Sequence, residues 1–309
     1  MKRIITLITA TLTAMALSHC GKSPQAEAGK ATQARNGKPV VYVANYPLKY
    51  FAEQIAGGAA EIVFPDTGGE DPAFWQPDDK TIAAFQGADL ILMNGATYSK
   101  WAEKVTLPAS KLVDTSAGFK ANFIEVKDSV THSHGPGGDH SHSGTAFTTW
   151  IDFNQAIAQA AATRIALGRV LPDAGEALDA NLKKLTDALA ALDARMKAAG
   201  ARMSNAPVMA SHPVYQYFAR RYSINLKAVL WEPETVPDDK ALEGLRQIVA
   251  AHPAKWMIWE GEPAKESVDK LKALGIASIV FDPCGNTPDA GDFISMMRAN
   301  VEAMEKAFP

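Results

Sequence analysis

Residues 172–200 read PDAGEALDANLKKLTDALAALDARMKAAG and predict a long helix. Apolar side chains recur there at spacings of three and four, the pattern of a helix with one buried face, at Leu178, Leu182, Leu185, Leu189, Leu192 and Met196. Roughly 28 residues would extend about 42 Å as a helix. A coiled coil would show the same stripe, but this one is short and lies between two segments of α/β character. We therefore expect a rigid helix that joins two lobes.

Short aliphatic or β-branched runs alternate with helical patterns on both sides of this helix. The runs lie at 39–44, 60–64, 88–93 and 111–114 before it, and at 207–210, 228–231, 256–259 and 278–281 after it. Such alternation is typical of parallel sheets covered by helices. The predicted fold class is α/β, with two lobes that each contain a mainly parallel sheet flanked by helices. We expect the first lobe at residues 39–171, the linking helix at 172–200 and the second lobe at 201–309.

The N-terminus has the pattern of an export signal. Met1-Lys2-Arg3 precedes an apolar run that is too short to cross a bilayer as a stable helix, so residues 1–20 are expected to be a signal peptide. Leu17-Ser18-His19-Cys20 resembles a bacterial lipoprotein cleavage site, at which Cys20 would be lipidated. His19 departs from that pattern, and cleavage to a free periplasmic product is the alternative. The small polar residues 21–38 predict a flexible linker.

Composition narrows the classes of function. The chain has 309 residues and a formal net charge of -3, without a basic stripe, so nothing indicates nucleic-acid binding. Besides Cys20 the only cysteine is Cys284, and a lipidated Cys20 leaves it no partner for a disulfide. The chain lacks a nucleophile elbow, a phosphate-binding glycine loop and an HExxH motif, and the pair of Glu260 and Glu262 is weak evidence for acid–base chemistry. We therefore expect no enzyme.

A histidine-rich segment, THSHGPGGDHSHSG, occupies residues 131–144 of the first lobe. It contains His132, His134, His140 and His142 of the 7 histidines in the chain. Imidazoles among Gly and Ser, without apolar periodicity, indicate a loop that collects borderline divalent cations such as zinc. A low-complexity linker is the alternative. Since a loop of this kind rarely makes a tight site alone, an ordered site is expected elsewhere.

Three side chains follow predicted strands of the second lobe. His212 comes two residues after the 207–210 run, Glu260 directly after the 256–259 run and Asp282 directly after the 278–281 run. Ligand-binding groups collect beyond the carboxyl ends of parallel strands, so these three predict a divalent metal site. Each also has a simpler interpretation: a helix cap for His212, a lysine pair for Glu260 and a turn for Asp282.

The chain resembles the cluster A-I solute-binding proteins, the metal-binding subunits of bacterial ABC importers for zinc and manganese. The resemblance covers nearly the whole mature chain and rests on YPLKYFAEQI (46–55), Asp71-Pro72 with Gln76-Pro77, ADLILMNG (88–95), Trp150-Ile-Asp152, Ser211-His212, YFARRY (217–222) and Phe281-Asp-Pro283. It implies two α/β lobes joined by one long helix, a metal site between them and a histidine-rich loop before the Trp-x-Asp segment.

The metal ligands that this resemblance implies are only partly present. The family uses three histidines and an aspartate, or two histidines with a glutamate and an aspartate, and His212 and Asp282 match the third and fourth of these. The first and second fall on Ala73 and Thr148. Alanine cannot bind a metal and a neutral threonine hydroxyl binds one poorly, so the usual site cannot form. A rebuilt site would be completed by Glu260, Cys284, Asp71, Glu70 or a loop histidine.

Two other interpretations stay open. In the first, an aromatic cleft with Glu232, Glu234 and Glu260 binds an organic cation, or a metal held by a small chelator. Its expected lining is aromatic: Phe74, Trp75, Trp150, Tyr215, Trp231 and Trp259. Ordinary core packing is the alternative for each of these aromatic residues. In the second, the chain has lost its own binding and serves as an accessory or surface protein.

The sequence therefore predicts a periplasmic, lipid-anchored solute-binding protein of an ABC importer, with an inner-membrane permease as its partner. Its expected ligand is a divalent transition metal, Zn²⁺ before others, held between the lobes by His212, Asp282 and Glu260. The four loop histidines and Cys284 are expected to be accessory metal ligands. Little closure of the lobes is expected because a stiff helix joins them.

Overall fold

The computed structural model describes residues 37–126, 131–133, 139–141 and 144–309. The predicted signal peptide with Cys20, most of the 21–38 linker, and His134 and His142 lie outside the described residues. Within the described part of the chain, no helix is both long and apolar enough to cross a lipid bilayer.

The first half of the chain forms a parallel sheet with the strand order β2-β1-β3-β4. Its strands are β1 (Val40–Val43), β2 (Glu61–Val63), β3 (Leu90–Met93) and β4 (Leu112–Asp114). Helices α1 (Tyr46–Ala56) and α2 (Asp79–Gly87) connect the strands. Strand β3 is buried along its whole length, which explains its uninterrupted apolar sequence.

Part of the histidine-rich segment is paired. Strands β5 (Glu125–Val126) and β8 (Gly144–Thr145) are antiparallel, and between them β6 (Thr131–Ser133) pairs with β7 (Asp139–Ser141). In that pairing His132 lies opposite His140. These residues are therefore not the irregular loop that we expected. Their two short polar strands form backbone hydrogen bonds with each other in place of hydrogen bonds to water.

Two long helices follow, α3 (Phe153–Val170) and α4 (Gly175–Met203). Helix α4 begins three residues later than predicted because Pro172–Ala174 form a separate 3₁₀ turn. The predicted stripe is its buried face, which packs against α1 and α3 and against two helices of the second half. Internal packing, rather than a coiled coil, therefore accounts for the leucine repeat.

The second half forms another parallel sheet, with the order β10-β9-β11-β12. Its elements are β9 (Val208–Ala210), α5 (Gln216–Tyr222), β10 (Leu226–Ala228), α6 (Asp239–Ala251), β11 (Trp256–Trp259), α7 (Lys265–Ala273), β12 (Ala277–Val280) and α8 (Phe293–Ala307). The strand expected at 228–231 lies earlier than predicted. The apolar residues after it pack instead on β11, where the rings of Trp231 and Trp259 are 6.3 Å apart.

One hydrophobic cluster contains residues of both sheets. Val41 of β1 and Val208 of β9 belong to it, together with the buried face of α4 and side chains of α8. The predicted α/β fold class, with two parallel sheets and one long helix, is confirmed. The lobe boundaries at residues 171 and 200 stay a prediction.

Candidate metal site

Each strand of the second sheet is followed by a side chain that can bind a cation. Glu232 follows β10, His212 follows β9, Glu260 follows β11 and Asp282 follows β12. The strands are neighbours in that same order, and all run parallel. The four side chains therefore belong to one edge of the sheet.

Backbone hydrogen bonds continue the sheet beyond its strands. The Ser211 N–H donates to the Ile258 carbonyl at 2.8 Å, and the Trp231 N–H donates to the Ser211 carbonyl at 2.7 Å. Similarly, the Phe281 N–H donates to the Trp259 carbonyl at 2.8 Å. These bonds hold the first residues after each strand in register, which places the following acidic side chains around the imidazole.

His212 lies at the centre of this group. Its side chain is 2% exposed, and its Nδ1 is 3.3 Å from Glu260 Oε1 and 3.7 Å from Glu232 Oε1. One ligand atom from each of the three residues lies within 4.8 Å of the others. Because metal–nitrogen and metal–oxygen bonds are about 2.0–2.2 Å long, small side-chain movements would let one ion bind all three.

The Glu260 carboxyl group is strongly perturbed. Burial raises its pKa well above the usual range, and the negative charges of Asp71, Glu232, Asp282 and Glu234 raise it further. Several carboxylates in one buried place repel each other. A divalent cation would remove that repulsion, so the arrangement favours a bound cation over an empty site.

Asp282 lies at the same edge but is not a member of the three-residue group. Its Oδ1 accepts a hydrogen bond from the Cys284 N–H at 2.6 Å, and Asn300 bonds to both its backbone N–H and its carbonyl. Burial raises the pKa of Asp282 despite the bond from Cys284.

The Cys284 thiol stays protonated at pH 7 in the metal-free protein, and its role as an accessory metal ligand stays a prediction. It is buried, and burial followed by the charges of Asp282 and Asp292 raises its pKa far above the usual value. A neutral thiol results at pH 7, whereas the thiolate is the form that binds metals. Cys284 is also not among the described residues that line the neighbouring cavity.

A cavity of about 690 Å³ lies beside the carboxylate group and takes its walls from both halves of the chain. Six carboxylate residues line it: Glu70, Asp71, Glu232, Glu234, Glu260 and Asp282. Its aromatic wall consists of Phe74, Tyr98, Phe147 and Trp150. The described lining includes no lysine, arginine or histidine, so the cavity is suited to a cation.

Two of the six aromatic residues predicted to line the cleft, Phe74 and Trp150, line this cavity. The other four are not among the described residues that line it: Trp75, Tyr215, Trp231 and Trp259. The Tyr215 hydroxyl donates to the Phe281 carbonyl at 2.8 Å, and the Trp259 indole N–H donates to Ser278 Oγ at 3.1 Å. Tyr215, Trp231 and Trp259 are buried in the core, whereas Trp75 is half-buried. Trp150 lines the cavity, and its indole N–H donates to the Pro283 carbonyl at 2.7 Å, which links the two halves.

The two positions where the resemblance places histidines carry other contacts. Ala73 is buried, and its N–H donates to Asp71 Oδ1 at 2.9 Å. The Thr148 hydroxyl donates to the Val214 carbonyl. The first half therefore presents the Asp71 carboxylate to the cavity, rather than an imidazole.

Sequence reasoning did not select Glu232 as a metal ligand. The signal was present, because Glu232 directly follows an apolar run, the same rule that selected Glu260. The distance from Glu232 to His212 depends on the pairing of β10 with β9, and no local pattern in the sequence shows that pairing.

Comparisons with known proteins show the family to which the chain belongs. The family model described as zinc-uptake complex component A, periplasmic, matches residues 41–307. The zinc-binding lipoprotein AdcA of Streptococcus pneumoniae is 24% identical over 313 residues, which cover 98% of this chain and 60% of AdcA. The high-affinity zinc uptake system protein ZnuA of Bacillus subtilis is 24% identical over 282 residues, 84% of each chain. This chain thus spans about three fifths of the length of AdcA.

Solved structures share the fold. The metal-dependent lipoprotein YcdH of Bacillus subtilis has a TM-score of 0.74 at 19% identity, with 87% of this chain and 98% of YcdH covered. The Zn(II)-bound ZnuA-like domain of Streptococcus pneumoniae AdcA has a TM-score of 0.73 at 20% identity, with 88% and 99% covered. These descriptions are of metal-binding and uptake proteins, which confirms the prediction that the chain is not an enzyme. The chain belongs to the periplasmic zinc-uptake component A family.

Proposed function

We propose that this protein is the solute-binding component of an ABC importer and binds a divalent transition metal, with Zn²⁺ favoured, between its two halves. The observation that carries the proposal is the group of His212, Glu232 and Glu260, whose ligand atoms lie within 4.8 Å of one another beside an acidic cavity. Relatives described as zinc-binding and zinc-uptake proteins support the choice of metal.

The proposed site differs from the one that the resemblance implies. His212, Glu260 and Glu232 bind the ion, and Asp282 adds a fourth carboxylate at the same edge. One imidazole with several carboxylates is a harder ligand set than three imidazoles, and it accepts both Zn²⁺ and Mn²⁺. The site favours a metal ion over an organic cation, because the ligand atoms of His212, Glu232 and Glu260 lie close enough together to bind one ion.

The setting of the protein follows from the same proposal. Cys20 carries a lipid that anchors the chain outside the inner membrane, as the description of AdcA as a lipoprotein suggests. An inner-membrane permease receives the ion. The histidine-rich segment, with His132, His134, His140 and His142, binds metal loosely and raises its concentration near the cavity.

The decisive experiment replaces the imidazole. In His212→Ala, the affinity for Zn²⁺ measured by calorimetry on the purified chain should fall by at least about 100-fold, because removing a direct ligand costs roughly 2.7 kcal/mol or more. His252→Ala is the matched control. His252 is a buried imidazole of the same half, bonded to the Val208 carbonyl at 3.0 Å, and this change should reduce stability while leaving the affinity intact. Unchanged Zn²⁺ affinity in His212→Ala would contradict the proposal.

A further inference from the structure

The direct ligands proposed above all come from the second half, yet much of the cavity wall belongs to the first. A volume of about 690 Å³ is far larger than the roughly 15 Å³ that one water molecule needs. An ion held at His212 therefore has room for water on the side that faces the first half. The residues on that side determine which hydrogen bonds this water can form.

Asp71 is the first of these residues. It lies in the loop between β2 and α2, where its carbonyl accepts hydrogen bonds from the N–H groups of Phe74 and Trp75 at 2.9 Å each. Its Oδ1 accepts from the Ala73 N–H, also at 2.9 Å. These bonds hold the carboxylate at the cavity wall. Asp71 and Glu260 both line the cavity, so the Asp71 carboxylate faces the space into which a bound ion would extend.

Tyr98 is the second. Its side chain is 2% exposed, and its buried hydroxyl has no hydrogen-bond partner among the described residues. The hydroxyl oxygen would lie 3.4 Å from a Cβ added at Gly285, and both residues line the cavity. The ring is held edge-on by Phe147 and Trp150, at centroid distances of 5.4 and 5.5 Å.

A buried hydroxyl without a hydrogen-bond partner is unfavourable, because it has lost its bonds to water. That cost points to a polar partner that arrives with the ligand. Burial, and then the charge of Asp71, raises the pKa of Tyr98 well above its usual value, so the hydroxyl stays protonated.

We propose that Asp71 and Tyr98 hold a water molecule that is bound to the metal ion. The first half of the chain then contacts the ion through this coordinated water. This inference rests on the proposed function. Asp71 is not part of the group whose ligand atoms lie within 4.8 Å of one another, and we assign its carboxylate to a water on the ion rather than to the ion itself. The metal-bound water donates one hydrogen bond to the Asp71 carboxylate and the other to the Tyr98 oxygen.

The test uses the full chain with Mn²⁺ as a paramagnetic probe and Zn²⁺ in parallel. Water-proton relaxation should show at least one exchangeable water on the bound Mn²⁺ of the unaltered protein. Calorimetry should show that Asp71→Asn and Tyr98→Phe each weaken Zn²⁺ binding by roughly 5–10-fold, the scale of one hydrogen bond to a bound water. Both variants should also change the relaxation signal, because the water loses a partner.

Glu70→Gln is the matched control, since it removes a neighbouring negative charge from the same cavity wall. It should lower the affinity less than Asp71→Asn does and leave the relaxation signal unchanged. Tyr98→Phe should not lower the stability of the metal-free protein, because its hydroxyl has no bond to lose there.

Two results would overturn the inference while leaving the proposed function in place. One is bound Mn²⁺ without a coordinated water, and the other is affinities of both variants within about twofold of the unaltered chain. A loss in Asp71→Asn as large as that in His212→Ala would also overturn it, by making Asp71 a direct ligand. If the unaltered chain binds neither metal, the proposed function fails and the inference falls with it.

Discussion

At the scale of the residue, the ionised Glu260 carboxyl group favours metal binding but destabilises the metal-free protein. Its pKa is raised in the folded protein by burial and by neighbouring carboxylates, so the folded state binds more protons than the unfolded state. The associated stability is fully present below the unfolded pKa of about 4.3 and is lost as pH rises through the higher folded value. In metal-free protein at pH 7, ionisation of the Glu260 carboxyl group therefore lowers the free energy of unfolding.

Glu260→Gln should stabilise the metal-free protein at pH 7 by on the order of 1 kcal/mol and weaken Zn²⁺ binding. Urea denaturation in the presence of a chelator measures the first effect, and the gain should disappear near pH 4. Glu262→Gln, two residues away and exposed, serves as the control and should change neither quantity. A metal-free Glu260→Gln protein less stable than the original at pH 7 would show that this carboxyl group is not a source of repulsion.

Some of the candidate site could be predicted at this scale, and some could not. The rule that ligands follow parallel strands selected His212, Glu260 and Asp282, because strand ends are visible in local apolar runs. The Tyr98 hydroxyl carries no such signal, and Asp71 was a candidate only through the Asp-Pro segment of the family resemblance. Their approach to the second sheet depends on how α3 and α4 pack between the two halves, and this packing follows from contacts between residues far apart in the chain.

At the scale of the element, α4 is joined to α5 by a bidentate ion pair. Asp193 accepts hydrogen bonds from Arg221 Nε at 3.0 Å and Nη2 at 2.7 Å, and from the Tyr222 hydroxyl at 3.1 Å. Burial alone would raise the pKa of Asp193, but the bonds from Arg221, Lys197 and Tyr222 outweigh burial and lower it. The resulting stability is present above the unfolded pKa of about 3.9 and is lost as pH falls through the folded value.

Asp193→Asn should therefore lower the free energy of unfolding at pH 7 by about 1–3 kcal/mol, and the loss should shrink below pH 4. Urea denaturation at both pH values checks this. Asp187→Asn is the control on the same helix, since its pair with Lys183 at 2.7 Å is exposed and should contribute less than about 1 kcal/mol. Equal losses at the two pH values would assign the effect of Asp193 to packing rather than to its charge.

Helix α4 can approach the end of α5 closely because residue 200 is a glycine and has no side chain. A Cβ added at Gly200 would lie 2.5 Å from the Tyr222 carbonyl oxygen, a backbone atom that cannot turn aside. Gly200→Ala should destabilise the protein by about 1–3 kcal/mol through overpacking. Gly244→Ala, in α6 with no atom within 4 Å of the added group, should instead stabilise it by roughly 0.5–1 kcal/mol. Thermal unfolding of the two variants should shift in opposite directions.

The bounds of the elements show where local sequence is sufficient. The prediction of a strand at 256–259 matches β11, because it is a strongly apolar segment with clear ends. The strand predicted at 228–231 lies at Leu226–Ala228, and Trp231 beyond it is apolar because it contacts Trp259. Apolar character identifies burial but not the neighbour that causes it.

At the scale of the whole molecule, the histidine-rich segment and the cavity are expected to be separable. A chain with residues 131–144 deleted should still bind one Zn²⁺ with nearly unchanged affinity, while weaker additional binding disappears. Calorimetry and metal analysis check both statements. A full-length variant with the four loop histidines replaced by asparagine controls for the shortened chain. If neither variant binds Zn²⁺, a loop histidine completes the site.

The hydrophobic cluster that contains both Val41 and Val208 limits how the gene can change. Because the same apolar core supports both sheets, neither half retains a complete interior when it is synthesised alone. A premature stop codon within α4 would leave the apolar faces of α1 and α3 in water, and quality-control proteases would remove the fragment. The gene is therefore expected to change by substitution at the cavity wall, and not by exchanging halves with its relatives.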